Sequence, residues 1–363
     1  MIKTINGWRA VFALIIVLFH AGVKGMTLMP AGVVFFLMAS GFLMELKHPF
    51  GQLDKQTYKR FALRSAAKLY PLHWLALALL LAVLALVDGL VIDPVSLPLN
   101  AALLQSWSLY HHICFSYNSF SWFLSTLLFC YLCFPLLSRW FMPLRVMHQL
   151  VIVGVMSLVC LIVMLITDEY GFAVTTVFPP VRLIEFMIGM MLVKLLPVLR
   201  QVKLFNDRET GIDIELASVA LLSGVALVFI AHKQALYRVS ESFLWWIPVA
   251  VILLVCVIYD RREGIVGKLL ASRPMQWLGG LCFELFMLQR VAALAFGYLV
   301  APVLSHLGMG HPSPFAVHDA FDLGAVSPYS LLPWFIIPID IVLAWAVNRL
   351  FTRPLRRYLS SRI

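Results

Sequence analysis

The sequence predicts an all-α, polytopic integral membrane protein with ten transmembrane helices and both termini in the cytoplasm. Three observations carry that prediction. Of 363 residues, 62% are hydrophobic and 13% are charged, and the mean hydropathy is +0.91, a balance foreign to soluble domains. Apolar runs approaching the roughly 20 residues that span a hydrocarbon core recur along the chain, Leu69 to Val87 being one without Asp, Glu, Lys or Arg. The basic residues, finally, fall in alternate connections between those runs.

Taken in order, the first run, 8–25, follows Lys3 and Arg9. It reads as a signal anchor retained in the chain, because His20 interrupts it and no small-residue cleavage site follows. The second run, 31–46, is short and needs tilted partners or a locally thinned bilayer, as does the eighth, 244–259. The remaining runs are 69–90, 122–141, 147–167, 178–198, 214–231, 277–301 and 329–351. The two termini and the connections near 47–68, 138–146, 194–213 and 260–276 hold 23 of the 28 Lys and Arg residues. Lys24, Lys233 and Arg238 fall on the opposite side, while Arg182 and Arg290 lie within helices. Basic residues collect in cytoplasmic connections, so both termini are placed there, and an even helix count follows. With no internal repeat, low-complexity tract or soluble segment, residues 1–363 read as one membrane domain with no appended soluble domain.

A net charge of +10 invites a nucleic-acid reading. Position argues otherwise: the charge sits where the positive-inside rule puts it, and nucleic acid is excluded as a partner, with membrane lipid in its place. Five of six cysteines (Cys130, Cys133, Cys160, Cys256 and Cys282) lie in apolar runs and behave as small hydrophobes, while Cys114 is expected exposed in a polar loop. The outward loops 91–121 and 302–328 carry His111, His112, His306, His311, His318, Asp319 and Asp322. They show no repeated ligand spacing, so solvated loop residues are expected and no metal site is assigned.

An ionisable group inside the bilayer is costly and therefore informative. Arg9 and His20 are eleven residues apart on the first helix, which brings them within about 20° of one face and separates them by roughly 16 Å along the axis. A cytoplasmic arginine can grip a phosphate-bearing donor, and a deeper neutral imidazole can act as general base. The alternative is a headgroup-bound arginine and a histidine hydrogen-bonded within the bundle. In KQTYKRFALRSAAK, Arg60, Arg64 and Lys68 recur every fourth residue, giving either a positive-inside anchor or a phosphate-binding face. Asn118, Ser121, Trp122 and Ser125 gather at the outer start of the fourth helix, where serine caps and tryptophan marks the interface. Arg182 and Glu185 are spaced to neutralise each other, and Glu284, Arg290 and Asp340 are further bundle-interior candidates.

These residues resemble acyltransferase family 3, integral membrane enzymes that acylate carbohydrates and related acceptors. The segments that carry the resemblance are GWRAVFALIIVLFHAG with its Arg and His, GVVFFLMASGFLM (Gly32 to Met44) and KLYPLHW (Lys68 to Trp74). They are followed in family order by NSFSWFLSTLLFCYLCFPLL, PPVRLIEFMIGMML and RPMQWLGGLCFELFMLQ. The chain departs from the family's pattern in three places. Ser65 and Lys68, with Arg64 adjacent, occupy the register of paired arginines, Gln289 stands where many members have His, and Thr352 stands where a Glu often precedes Lys-Pro.

The resemblance implies an inner-membrane O-acyltransferase that moves an acyl group, most simply acetyl, from cytoplasmic acyl-CoA to a carbohydrate or glycolipid hydroxyl at the outer face. His20 is then the general base, and Arg9, Arg64 and Lys68 hold the CoA phosphates. Asn118, Ser121 and Trp122, with Arg182 and Glu185, are candidates for orienting the acceptor or the oxyanion. Acetyl-CoA is a donor substrate, and no permanently bound cofactor is expected. A transporter or flippase of a lipid-linked sugar is the alternative of another class, but the two halves show no matching broken helices. A sensor or assembly scaffold has no positive feature in the sequence.

Overall fold

The computed structural model describes residues 2–21, 23, 25–51, 53–87, 92–166, 176–202, 208–236, 239–259, 264–299, 306 and 332–360. Among them every regular element is helical. The principal helices are α1 (Lys3–His20), α2 (Met29–Lys47), α3 (Lys55–Val87), α4 (Trp122–Leu136), α5 (Val146–Ile166) and α6 (Pro179–Leu192). They continue with α7 (Arg208–Ala231), α8 (Trp246–Ile258), α9 (Arg273–Leu299), α10 (Leu332–Val347) and α11 (Arg353–Ser360). Each apolar run expected from the sequence is helical at its core. Seven helical stretches among the described residues are long and apolar enough to cross a bilayer: Lys3–His20, Met29–Lys47, Lys55–Leu86, Ser119–Phe141, Val146–Met164, Ile212–Ala231 and Arg273–Phe296. Helices α6, α8 and α10, at 14, 13 and 16 residues, are shorter. The molecule is a helical membrane protein.

The chain forms two compact units. The first comprises Met1–Phe12, Thr27–Ala62 and Thr126–Gly280. Its tightest packing is between α2 and α6, where Gly41 and Gly189 let two backbones touch. A methyl group on Gly41 would collide with the Phe186 carbonyl, and one on Gly189 with the Met38 carbonyl. Small residues at such crossings substitute contact for the hydrophobic drive that lipid surroundings remove. At the start of α1, Asn6 donates to the Gln276 carbonyl at 3.0 Å and Gln276 donates to the Lys3 carbonyl at 2.8 Å, tying that helix to the beginning of α9.

The second unit comprises Ala13–Met26, Leu63–Ser125 and Leu281–Ile363. Within it, α3 holds the segment that follows through three side chains on one face. Tyr70 donates its hydroxyl to the Ala102 carbonyl at 2.8 Å, His73 donates Nε2–H to the Asn100 carbonyl at 2.8 Å, and Trp74 donates to the Ala101 carbonyl at 2.9 Å. The spacing i, i+3, i+4 is that of neighbours on a helix. Leu103 and Tyr117, both with positive φ (55° and 50°), lie within the folded segment that runs from 92 to 121.

The structure changes three expectations. The basic stretch 55–68 is not a loop: α3 begins at Lys55, because Asp54 accepts the Thr57 N–H at 2.6 Å and caps a sequence rich in good helix formers. The segment 92–121 is folded and holds buried polar side chains. His111 and His112 are exposed as expected, but Cys114 is 1% exposed, and burial pushes its thiol up to about 12. Loop polarity concealed a thiol packed inward. Ser121 does not cap α4 either; its hydroxyl donates to the Asn118 carbonyl at 2.6 Å. His306 is exposed, whereas His311, His318, Asp319 and Asp322 lie outside the described residues.

Candidate active site

His20 ends α1, within the second unit, and its surroundings come from sequence positions far apart. Its ring lies 4.1 Å from the Phe120 ring, centroid to centroid, at an interplanar angle of 35°. Its Nδ1 is 3.1 Å from Gln289 Oε1 on α9. Gln289 and Phe120 are buried, at 3% and 7% exposure, while His20 itself is half-buried. The imidazole therefore has one face and one edge backed by protein.

Phe120 is held in place from both sides of its own position. Asn118 donates to the Met287 carbonyl at 3.0 Å, and Arg290 donates to the Ser119 hydroxyl at 2.7 Å. Met287 and Arg290 are three residues apart on α9, so the strand of chain 118–120 is fastened to one helix face at two points. Ser121 adds a third attachment, accepting from Gln105 at 2.9 Å and from Asn100 at 3.3 Å. Asn100 in turn donates to the Ser116 carbonyl at 2.8 Å. Trp122 is buried, and its carbonyl accepts the Ser106 hydroxyl at 2.9 Å. Of the residues expected on the acceptor side, Asn118, Ser121 and Trp122 thus build the wall behind Phe120. Asn118 Oδ1 is buried without a hydrogen-bond partner among the described residues, so one acceptor stays unspent there.

Arg64 and Lys68 lie on α3 in the same unit and line a cavity of about 380 Å³ together with Pro71, Phe351, Leu355 and Arg356. All three cations are on exposed positions, and the lining between them is largely apolar. A pocket of that size with basic groups over apolar walls suits an anionic head that also carries a flat or apolar part. Arg356 was not singled out by the sequence, where RPLRRYLS reads as one more basic terminus; its spacing from Phe351 and Thr352 is the signal that places it on the same side of the C-terminal helix.

Arg9 is half-buried on α1 in the first unit. Arg182 and Glu185 also belong to the first unit and close on each other: Arg182 Nη1 lies 2.8 Å from Glu185 Oε1, at 1% and 0% exposure. Arg182 donates further to the Thr176 carbonyl at 2.6 Å and the Glu241 carbonyl at 3.0 Å, while Ser242 and Trp246 donate to the same Glu185 oxygen. Burial raises the Glu241 carboxyl above its ordinary range, with Arg182 opposing that rise. Glu284 pairs with a neutral amide, accepting from Asn348 at 2.8 Å, and Asp340 is buried without a hydrogen-bond partner among the described residues.

Sequence reasoning named His20 but not its contacts. Gln289 was visible as a departure from a familiar pattern, and Phe120 sits inside a quoted segment. Their contact with a histidine 269 positions from Gln289 and 100 from Phe120 leaves no trace in local spacing.

Residues 2–348 match the model of a family described as an acyltransferase domain. No curated protein and no solved structure matches the chain.

Proposed function

The chain belongs to acyltransferase family 3 and is an acyltransferase, and from that premise we propose that it moves an acyl group, acetyl in the simplest case, from cytoplasmic acyl-CoA to a carbohydrate hydroxyl on the extracytoplasmic side. The observation that carries this reading is His20, a half-buried imidazole braced by Gln289 and Phe120 at the end of an apolar helix. A general base needs one nitrogen within reach of a substrate proton and a ring that keeps its orientation. The brace supplies the second requirement and the partial exposure the first.

In this scheme the acceptor hydroxyl gives its proton to His20 while its oxygen attacks the thioester carbonyl. The carbon–sulfur bond then breaks, and the CoA thiolate leaves with that proton. Arg64 and Lys68 hold the donor's phosphates at the cavity on α3. The segment bearing Asn118, Ser121 and Trp122 faces the acceptor, and Arg182 with Glu185 holds the 176 and 241–242 turns in place. Membrane lipid surrounds the chain. The topology that fits is ten spans in the inner membrane with both termini cytoplasmic, as the distribution of Lys and Arg indicates.

Calorimetry with acetyl-CoA on detergent-purified protein tests the donor. Saturable binding is expected, weakened in Arg64→Ala and Lys68→Ala and retained in His20→Ala. Absence of saturable binding by folded wild type removes acetyl-CoA as donor.

A further inference from the structure

The amide of Gln289 has two ends of fixed chemistry, a nitrogen that donates and an oxygen that accepts. Its Nε2 donates to the Phe286 carbonyl at 3.0 Å, and its Oε1 is the atom that lies 3.1 Å from His20 Nδ1. Exchanging the two amide atoms would set oxygen against carbonyl oxygen, so the backbone of α9 determines which way the amide points. A carbonyl oxygen facing an imidazole nitrogen accepts from it. The proton of neutral His20 therefore sits on Nδ1, and the lone pair is left on Nε2.

We propose that Gln289 is a positioning residue that fixes His20 as the Nδ1-protonated tautomer and so selects Nε2 as the nitrogen that takes the acceptor's proton. This rests on the assignment of His20 as base made above. During transfer the hydroxyl O–H bond breaks towards Nε2 as the oxygen–carbonyl carbon bond forms. The carbon–sulfur bond then breaks, and the Nε2 proton passes to the departing thiolate, giving free CoA and the ester. Nδ1–H stays on Gln289 throughout. Phe120 lies against the ring face, 4.1 Å from it between centroids.

The protein labelled with ¹⁵N-histidine, purified in detergent, gives the tautomer directly from two-bond proton–nitrogen correlations, with His20→Asn identifying the signal. Wild type and Gln289→Glu, which keeps an accepting oxygen, are expected to show Nδ1 protonated. Gln289→Leu is expected to show Nε2–H or a mixture. With ¹⁴C-acetyl-CoA as donor and total cell membranes as acceptor source, Gln289→Leu is expected to lose about 10–100-fold in kcat at unchanged KM for acetyl-CoA, the scale known for the outer hydrogen-bond partners of metal-bound histidines. Gln289→Glu restores most of that loss.

A wild-type signal with the proton on Nε2 overturns the proposal, as does a Gln289→Leu protein with wild-type tautomer and kcat. If Gln289→Leu does not fold, the wild-type spectrum still decides. Transfer that survives in His20→Ala beside an Nδ1-protonated spectrum overturns the role of His20 as base and leaves the tautomer standing, so the two failures are told apart.

Discussion

At His20 a single side chain joins a hydrogen bond to Gln289 with a ring contact to Phe120, and each can be removed separately. Loss of a positioned general base costs about 10²–10⁴-fold, so His20→Ala is expected to lose transfer by that factor while its thermal unfolding stays near wild type. Cys114 gives a second residue-level prediction. Its thiol is raised to about 12 by burial and stays protonated near neutrality, so maleimide modifies it only after denaturation; rapid labelling of native protein would contradict its placement. Asp93 gives a pH dependence. The Ser96 hydroxyl and the N–H groups of Val95 and Ser96 hold its carboxyl below the usual range. A lowered carboxyl stabilises the fold above its unfolded value, and that stabilisation fades as pH falls through and below about 4. The protection of the Val95 and Ser96 amides, taken as the observed exchange rate relative to the intrinsic rate at each pH, should fall over that interval, and constant protection would refute the cap.

Between elements, the α2–α6 crossing depends on two glycines whose missing side chains are replaced by the opposing backbone. Gly189→Val inserts bulk where none fits and is expected to cost about 1–3 kcal/mol, read as a lower unfolding temperature in detergent. The buried Arg182–Glu185 pair behaves differently. Glu185→Leu strands a guanidinium and should cost about 3–5 kcal/mol, whereas Arg182→Met with Glu185→Leu should recover much of that loss. A double variant no more stable than the single would contradict the clasp. The elements themselves were largely legible, since apolar runs of helix length leave few alternatives. Their limits were less so. The start of α3 at Lys55 was hidden because an amphipathic basic turn and a basic loop have the same composition, and the Asp54 cap shows only once the Thr57 N–H is seen to point at it. The folding of 92–121 was hidden because polar residues such as Asn100 and Gln105 both donate to the buried Ser121 hydroxyl, and hydropathy counts them as exposed.

Across the whole molecule, the family and the helical membrane character were readable from six motifs in order and from composition, and the match over residues 2–348 bears out the family. In the candidate site, His20 stood out as a polar residue in an apolar helix, while the placement of Gln289 and Arg356 depends on contacts between distant stretches of chain. We propose that His20 drives acyl transfer from cytoplasmic acyl-CoA to carbohydrate across the membrane. Inside-out vesicles of the producing cell, given ¹⁴C-acetyl-CoA from outside, test it most directly. Label is expected in carbohydrate recovered from the vesicle lumen with wild type and not with stably inserted His20→Ala; equal labelling in both, or label confined to the outer surface, would contradict it.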